Sequence, residues 1–241
     1  FTASTFHDEA HFAASVFNRP AVFSKSLFGG VARFAGVVTK QSAMFSNVRF
    51  ASAADFSGAS FTQYEDFGGA RFDGDATFSR ASFIALPRTR YEMDFPQGAN
   101  FGNATFAQDA DFSKATFTAH VGFYKATFAR EVSFNGASFE GAYFADATFG
   151  QRADFRQTSF MYVKPSFEAL ERRLPRARFS AQADPQDYLF EARPESRHGF
   201  SYGETELLNR TFVLPVGTVL YDPDSWDEEK QEYTRISEPA Q

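Results

Sequence analysis

Phenylalanine recurs along the first two thirds of the chain at steps that alternate between five and six residues. Two positions before most of these rings stands alanine or another small or apolar residue, and the remaining positions are polar, as in Ala115-Thr116-Phe117. The pattern therefore repeats after one short and one long step, a period of eleven. The rings follow one another at Phe6, Phe12, Phe17, Phe23, Phe28 and Phe34, from Phe45 to Phe83, and from Phe95 to Phe139, with one slipped step before Phe160.

Neither an α-helix nor a flat strand accommodates this pattern. A period of eleven suits a right-handed helical supercoil, but residues five apart on a helix point about 140° away from each other, so the rings would lie on opposite faces. In a flat strand, an odd step of five also sends successive rings to opposite faces. The chain must turn at every unit, so that each ring and the small residue before it face a dry interior. This predicts a solenoid.

Several stretches resemble the pentapeptide-repeat proteins, in the phenylalanine-rich variety of that family. They include "ADFSGASF", "ANFGNATF", "ADFSKATF" and "VSFNGASFEGAYFADATF", and the resemblance covers about residues 1 to 160. It implies an all-β solenoid, a right-handed quadrilateral β-helix with one unit per face. Two short and two long units make about 22 residues per coil, so two opposite faces or their corners are expected to be longer. A three-sided coil, with one unit fewer, is the alternative, but alternation by twos cannot repeat on three sides.

The pattern has two irregularities within the predicted rod, which spans residues 1–165. Thr39 stands where a ring is due, in a column with Phe17 and Phe61. Residues 84–94 (IALPRTRYEMD) replace a regular pair of units, with the repeat resuming at Phe95, and proline within them cannot donate to a ladder. We expect this insertion to protrude and Arg88, Arg90 and Tyr91 to be its candidate partner contacts; a tolerated insertion without function is the alternative.

Beyond Phe160 the repeat ends, and residues 166–241 are expected to form a small α/extended cap with a mixed, acidic tail. Residues 166–174 (SFEALERRL) have the charge order of a capping helix, and Asp184 followed by Pro185 predicts a second helix that ends at Pro194. Residues 211–220 and 233–236 are expected to be short strands or an extended tail, and we expect the last nine residues to be frayed. An exposed last coil recruits other chains, so we expect this region to cover it. In resembling proteins the end of the rod also supports dimers, which implies a homodimer through the C-terminal region, beyond residue 180.

The charge distribution argues against imitation of DNA. The chain has 24 basic and 30 acidic residues, of which 15 and 15 fall within residues 1–167, so the whole net charge of −6 lies beyond the rod. Some resembling proteins mimic duplex DNA and bind type II topoisomerases. Here the residue one coil (22 positions) after Asp55 is Thr77, and the residue one coil after Asp111 is Ser133. The aspartates therefore do not stack on one another, and we expect no acidic stripe. No basic patch with interleaved aromatic residues occurs, so we expect no direct binding of nucleic acid.

Little in the sequence indicates catalysis. The chain has no cysteine, and the run from His7 to His11 lacks the spacing of a zinc protease. The acidic run from Asp222 to Glu229 lacks the glycine of a calcium loop. We therefore expect no enzyme, cofactor or metal, and predict a non-enzymatic structural or protein-interaction module with a protein partner, or within a larger assembly. Inhibition or protection of a type II topoisomerase by DNA mimicry is the alternative function.

Composition says little about location. No apolar run is long enough for a membrane-spanning helix. The pattern is already running at Phe1, which leaves room for an upstream signal, anchor or domain. The resemblance favours a cytoplasmic, bacterial protein.

Overall fold

A computed structural model describes residues 1–84, 98–168 and 176–241. Over these ranges the chain forms a four-sided stack of short parallel strands, followed by antiparallel elements. Each coil adds one strand to each side, and we number the four sides face 1 to face 4 in chain order. The all-β solenoid that the spacing predicts is confirmed.

The strands of each face pair in parallel with those of the coils above and below. Face 1 contains Thr5–Phe6, Leu27–Phe28, Arg49–Phe50, Arg71–Phe72, Thr105–Phe106, Thr127–Phe128, Thr148–Phe149, Arg178–Ser180 and Val219–Tyr221. Face 2 contains Ala10–His11, Ala32–Arg33, Ala54–Asp55, Ala76–Thr77, Ala110–Asp111, Val132–Ser133, Ala153–Phe160 and Tyr188–Ala192. Face 3 contains Val16–Phe17, Val38–Thr39, Ser60–Thr62, Ser82–Ile84, Thr116–Gly122 and Ser138–Tyr143. Face 4 contains Ala21–Val22, Ala43–Met44, Glu65–Asp66 and Ala99–Asn100.

The alternation of five and six residues is an alternation of corners. After faces 2 and 4, where the step is five, the residue two positions past the ring has a positive φ, as at Gly36 (62°) and Lys114 (57°). The next backbone N–H donates to the carbonyl of the ring residue, as from Ser15 to Phe12 at 3.1 Å. This is the pattern of a type II turn. The six-residue steps follow faces 1 and 3, so the longer corners are opposite each other, as the spacing predicts.

The core consists of four columns of stacked rings. Phe12, Phe34, Phe56 and Phe78 form one column with centroids 4.8–4.9 Å apart, which confirms the column that the coil length requires. Rings of faces 2 and 4 also meet edge to face along the axis, as Phe34 and Phe45 do at 5.3 Å and 90°. Such a series advances by half a coil at each contact, which explains the period of eleven. Stacked and edge-on rings are both favourable geometries.

The insertion adds residues to one coil. In regular coils, stacked side chains that hydrogen-bond to each other are 22 residues apart, as Ser24 and Ser46 are. Across the coil that contains residues 85–97, the corresponding pair, Ser79 and Ser113, is 34 residues apart. That coil is longer, and Phe83 pairs with Phe117 across it. Among the described residues, the next core ring after Phe83 is Phe101, at 5.9 Å. The prediction that residues 84–94 replace a pair of units was therefore wrong. Strand Ser82–Ile84 contains the first of these residues, and the rest lie outside the described residues.

The ring columns continue past residue 165 with irregular spacing. Phe149 stacks on Phe179 at 4.6 Å, and Phe155 stacks on Phe190 at 5.3 Å. Residues 169–174 of the predicted capping helix lie outside the described residues. The second predicted helix is wrong: after a single 3-10 turn, Pro185–Asp187, the chain enters strand Tyr188–Ala192. The side chains alternate there, so that the rings at 188 and 190 enter the core, which a helix would not allow.

The described C-terminal residues close the rod with antiparallel elements. Tyr202–Leu207 pairs with Arg210–Pro215, and Trp226–Asp227 pairs with Glu232–Tyr233. A second 3-10 turn spans Pro223–Ser225. The prediction of frayed last residues was wrong, because Ala240 is buried and its backbone bonds to Gly217 and Thr218.

Candidate interaction surface

The partner contacts predicted from the sequence, Arg88, Arg90 and Tyr91, lie outside the described residues. Their role stays a prediction. In the part of the chain that the structure describes, face 2 and the corner that precedes it carry a groove lined by several carboxylates.

Acidic side chains gather on face 2 in two neighbouring columns. In the first column, parallel register places Asp55 beside Thr77, Thr77 beside Asp111, and Asp111 beside Ser133. The second column lies two residues earlier. We call the acids of both columns the acidic row: Asp55, Asp75, Asp109, Asp111 and Glu131.

Backbone N–H groups stabilise these stacked charges. The N–H of Asp109 donates to a carboxylate oxygen of Asp75 at 3.3 Å, and the N–H of Glu131 donates to Asp109 at the same distance. Asp55 and Asp111 each accept from the N–H two residues on, at 2.9 and 2.8 Å. No acid of the row forms an ion pair with another described residue. The row therefore keeps five charges that are open to a partner.

The row ends at a neutralised carboxylate. Asp154 follows Ser133 in register and is bound by Arg156 at 2.6 Å, with Arg152 at 3.5 Å. Burial opposes ionisation of this group, but hydrogen bonds from Arg156 and the attraction of both arginines hold the pKa of Asp154 below its ordinary value. Asp154 therefore stays charged but adds little negative potential, because two cations lie against it.

The acidic row lines a shallow groove of about 480 Å³. Beyond it, a second groove of about 600 Å³ lies where the last coils meet the C-terminal residues, and we call it the junction groove. Glu131 and Arg152 line both grooves. The junction groove is further lined by Asp184, Asp187 and Tyr221. The two grooves thus adjoin at the corner between faces 1 and 2.

The expectation of no acidic stripe was only partly right. The columns are as predicted, since Thr77 and Ser133 do separate the aspartates of the first one. The second column was missed because only the outward position directly before each ring was compared from coil to coil. Asp75 and Asp109 are 34 residues apart, so only the length of the coil with the insertion brings them together. A check of both outward columns, with that coil length known, would have found the row.

The other candidate sites lack the arrangement that a metal requires. His11 lies 3.4 Å from Glu9, which also pairs with Arg33. Asp222 accepts the backbone N–H of Asp224, and Asp227 accepts two further N–H groups in its own turn. Among the described residues, no three histidines, aspartates or glutamates come together at metal-binding distance. The described helices also include none with the length and apolar character to span a membrane.

Comparison with known proteins supports the interpretation of the repeat. The family model for pentapeptide repeats, in nine copies, matches residues 117–159. No curated protein matches the chain. The matched residues include strands of faces 1, 2 and 3, and the same parallel register runs from Thr5 through the described part of the rod to Tyr221. Residues 117–159 are therefore pentapeptide repeats, in agreement with the resemblance seen in the sequence.

Proposed function

We propose that this protein is a non-enzymatic interaction module whose face 2 binds a basic segment of a protein partner. The observation that supports the proposal is the acidic row: five carboxylates in two adjacent columns, with no cation bound to them among the described residues. The rigid, ring-filled core holds them in place, so a partner meets a preorganised surface. Opposite charges then steer encounter and set orientation.

The length of face 2 suits an extended peptide. Asp55 and Leu189 are five register steps apart on face 2. At roughly 4.8 Å per step, this is about 24 Å, the length of about seven residues of extended chain. A strand-like segment with cations on one side would lie along the rod axis and meet one carboxylate after another.

DNA mimicry is the second candidate, and the same acidic row favours it. Its charge density is low for that role. Duplex DNA carries one negative charge per about 1.7 Å of axis, whereas five carboxylates spread over coils about 4.8 Å apart give roughly one per 4 Å. Neutral Thr77 and Ser133 interrupt the row further. A basic peptide makes no demand for a continuous phosphate-like stripe.

Binding of a labelled peptide of alternating arginine and serine, measured by fluorescence anisotropy at two salt concentrations, tests the proposal. The triple variant Asp75→Asn, Asp109→Asn, Glu131→Gln is expected to bind at least about tenfold more weakly. The matched control Asp8→Asn, Glu140→Gln, Glu204→Gln removes the same charge from other surfaces and is expected to bind as the parent does. Equal loss in both would show only a net-charge effect. If the parent protein inhibits a type II topoisomerase and the Asp75, Asp109 and Glu131 triple variant does not, this result would favour DNA mimicry instead.

A further inference from the structure

Two largely buried residues that line the junction groove, Tyr221 and Thr148, carry hydroxyls that the protein itself does not use. Tyr221 is only 4 % exposed and Thr148 only 9 % exposed, and both line the groove. Neither hydroxyl has a hydrogen-bond partner among the described residues, and neither is fully enclosed, so each faces the groove. The nearby Tyr188 shows the usual arrangement, because its hydroxyl donates to the carbonyl of Ser180 at 3.0 Å. Buried hydroxyls are normally satisfied in this way.

The charge around these hydroxyls is negative. Three acidic residues line the groove: Glu131, Asp184 and Asp187. Among the described residues that line it, Arg152 is the one with a positive charge. One oxygen of Asp184 accepts the N–H of Gln186 at 2.9 Å, and its other oxygen makes no hydrogen bond to a described residue. The groove is thus suited to a positively charged donor rather than to an anion.

Aromatic rings form another part of the wall. Tyr221 and Tyr233 lie with centroids 4.4 Å apart, and both line the groove. Arg178, which pairs with Asp146, lies over the ring of Tyr233 at 5.8 Å. The protein therefore already packs one guanidinium against the Tyr233 ring.

We infer that the junction groove binds a guanidinium group, the side chain of an arginine in the basic partner; this rests on the proposed function of face 2. A guanidinium carries five N–H donors in one plane, so it can satisfy carboxylates and hydroxyl oxygens together while its flat face packs on tyrosine. A lysine ammonium is a compact, strongly hydrated charge that cannot stack in this way. The groove then anchors the peptide that the acidic row attracts.

The test uses the full chain and the fluorescence of Trp226, the only tryptophan, which lies edge-on to Tyr233 at 4.9 Å. The probes are two peptides identical except for arginine or lysine at one position. We expect the arginine peptide to bind about tenfold more tightly and to change the emission of Trp226. Tyr221→Phe keeps the ring and removes the hydroxyl, so it is expected to cost the arginine peptide about tenfold and the lysine peptide little.

Tyr124→Phe is the matched control, because Tyr124 is a partly exposed tyrosine that does not line either groove. Thr148→Val is a second variant that keeps side-chain shape, in case Tyr221→Phe reduces folding. Equal affinity of both peptides, or equal effects of Tyr221→Phe and Tyr124→Phe, would overturn the inference. If the acidic-row triple still weakens binding in that case, the proposed function stands without the arginine site. If the triple has no effect either, both fail.

Discussion

Glu65 and Ala43 are register partners on face 4. Glu65 therefore occupies, one coil further along the rod, the same interior position as Ala43. Its side chain is fully buried, and neither carboxyl oxygen has a hydrogen-bond partner in the described chain. Burial raises the pKa of Glu65 to about 8. The rod therefore carries a protonated carboxyl in its core at neutral pH.

This carboxyl makes stability depend on pH. Its ordinary pKa of 4.5 applies to the unfolded chain, so the folded state holds a proton that the unfolded state releases between about pH 4.5 and 8. The contribution of the group is most favourable below pH 4.5 and is lost as pH rises through that window. At pH 7, we expect the loss to be about 3 kcal/mol. Urea denaturation of the parent and of Glu65→Ala at pH 5, 7 and 9 measures it.

Glu65→Ala is expected to be more stable than the parent at pH 7 and 9, with a difference that grows between pH 5 and 8. Glu65→Gln serves as control, because it keeps the size and removes the titration. A difference that is the same at all three pH values would show that the carboxyl does not titrate in the folded rod.

Thr39 tests how the core tolerates a missing ring. It lies between Phe17 and Phe61 in register, is 2 % exposed, and its hydroxyl lacks a hydrogen-bond partner among the described residues. Thr39→Leu or Thr39→Phe should therefore be neutral or stabilising, because each fills space and removes an unsatisfied group. In contrast, Phe117→Ala should cost about 3 to 5 kcal/mol. Thermal denaturation compares the three variants, and a strongly destabilised Thr39→Leu would show that neighbouring side chains already fill the slot.

Much of the rod could be predicted because the pattern is local and repeated. The column of Phe12 and Phe34, the opposite long corners and the slot of Thr39 all follow from counting residues. Where the spacing becomes irregular, counting no longer works: Phe167, Phe179 and Phe190 extend the core columns across steps that only the structure reveals. The junction groove could not be predicted, because the strand that contains Tyr221 joins the rod only after the chain has formed an antiparallel hairpin.

Substitutions at two glycines distinguish the cost of a left-handed backbone conformation from the cost of a steric clash. Gly58 has a φ of 62°, and a Cβ added there meets no atom within 4 Å. Gly58→Ala should therefore cost only the left-handed conformation, about 1 kcal/mol. A Cβ on Gly74 would lie 2.6 Å from the backbone carbon of Ser52, so Gly74→Ala must push two coils apart and should cost more. Equal denaturation midpoints for the two variants would contradict this distinction.

The final residues should stabilise the C-terminal closure of the rod. The N–H of Ala240 donates to the carbonyl of Thr218 at 2.9 Å, and its carbonyl accepts the N–H of Gly217 at 2.9 Å. The hydroxyl of Ser237 accepts the N–H of Leu220 at 2.8 Å. Removal of residues 237–241 deletes these bonds and leaves buried backbone groups unpaired, so we expect a loss of about 2 to 3 kcal/mol in this region.

Hydrogen exchange measures that loss residue by residue. Amide protection should fall at Gly217 and Leu220, whereas the amide of Phe56, which bonds to Thr77 at 2.8 Å in the middle of the rod, should keep its rate. In a solenoid each coil contacts only its neighbouring coils, so the effect of losing the hydrogen bonds of residues 237–241 should remain local. Unchanged exchange at Gly217 would show that the last residues contribute nothing. Faster exchange at Phe56 would show instead that the C-terminal closure stabilises the whole stack.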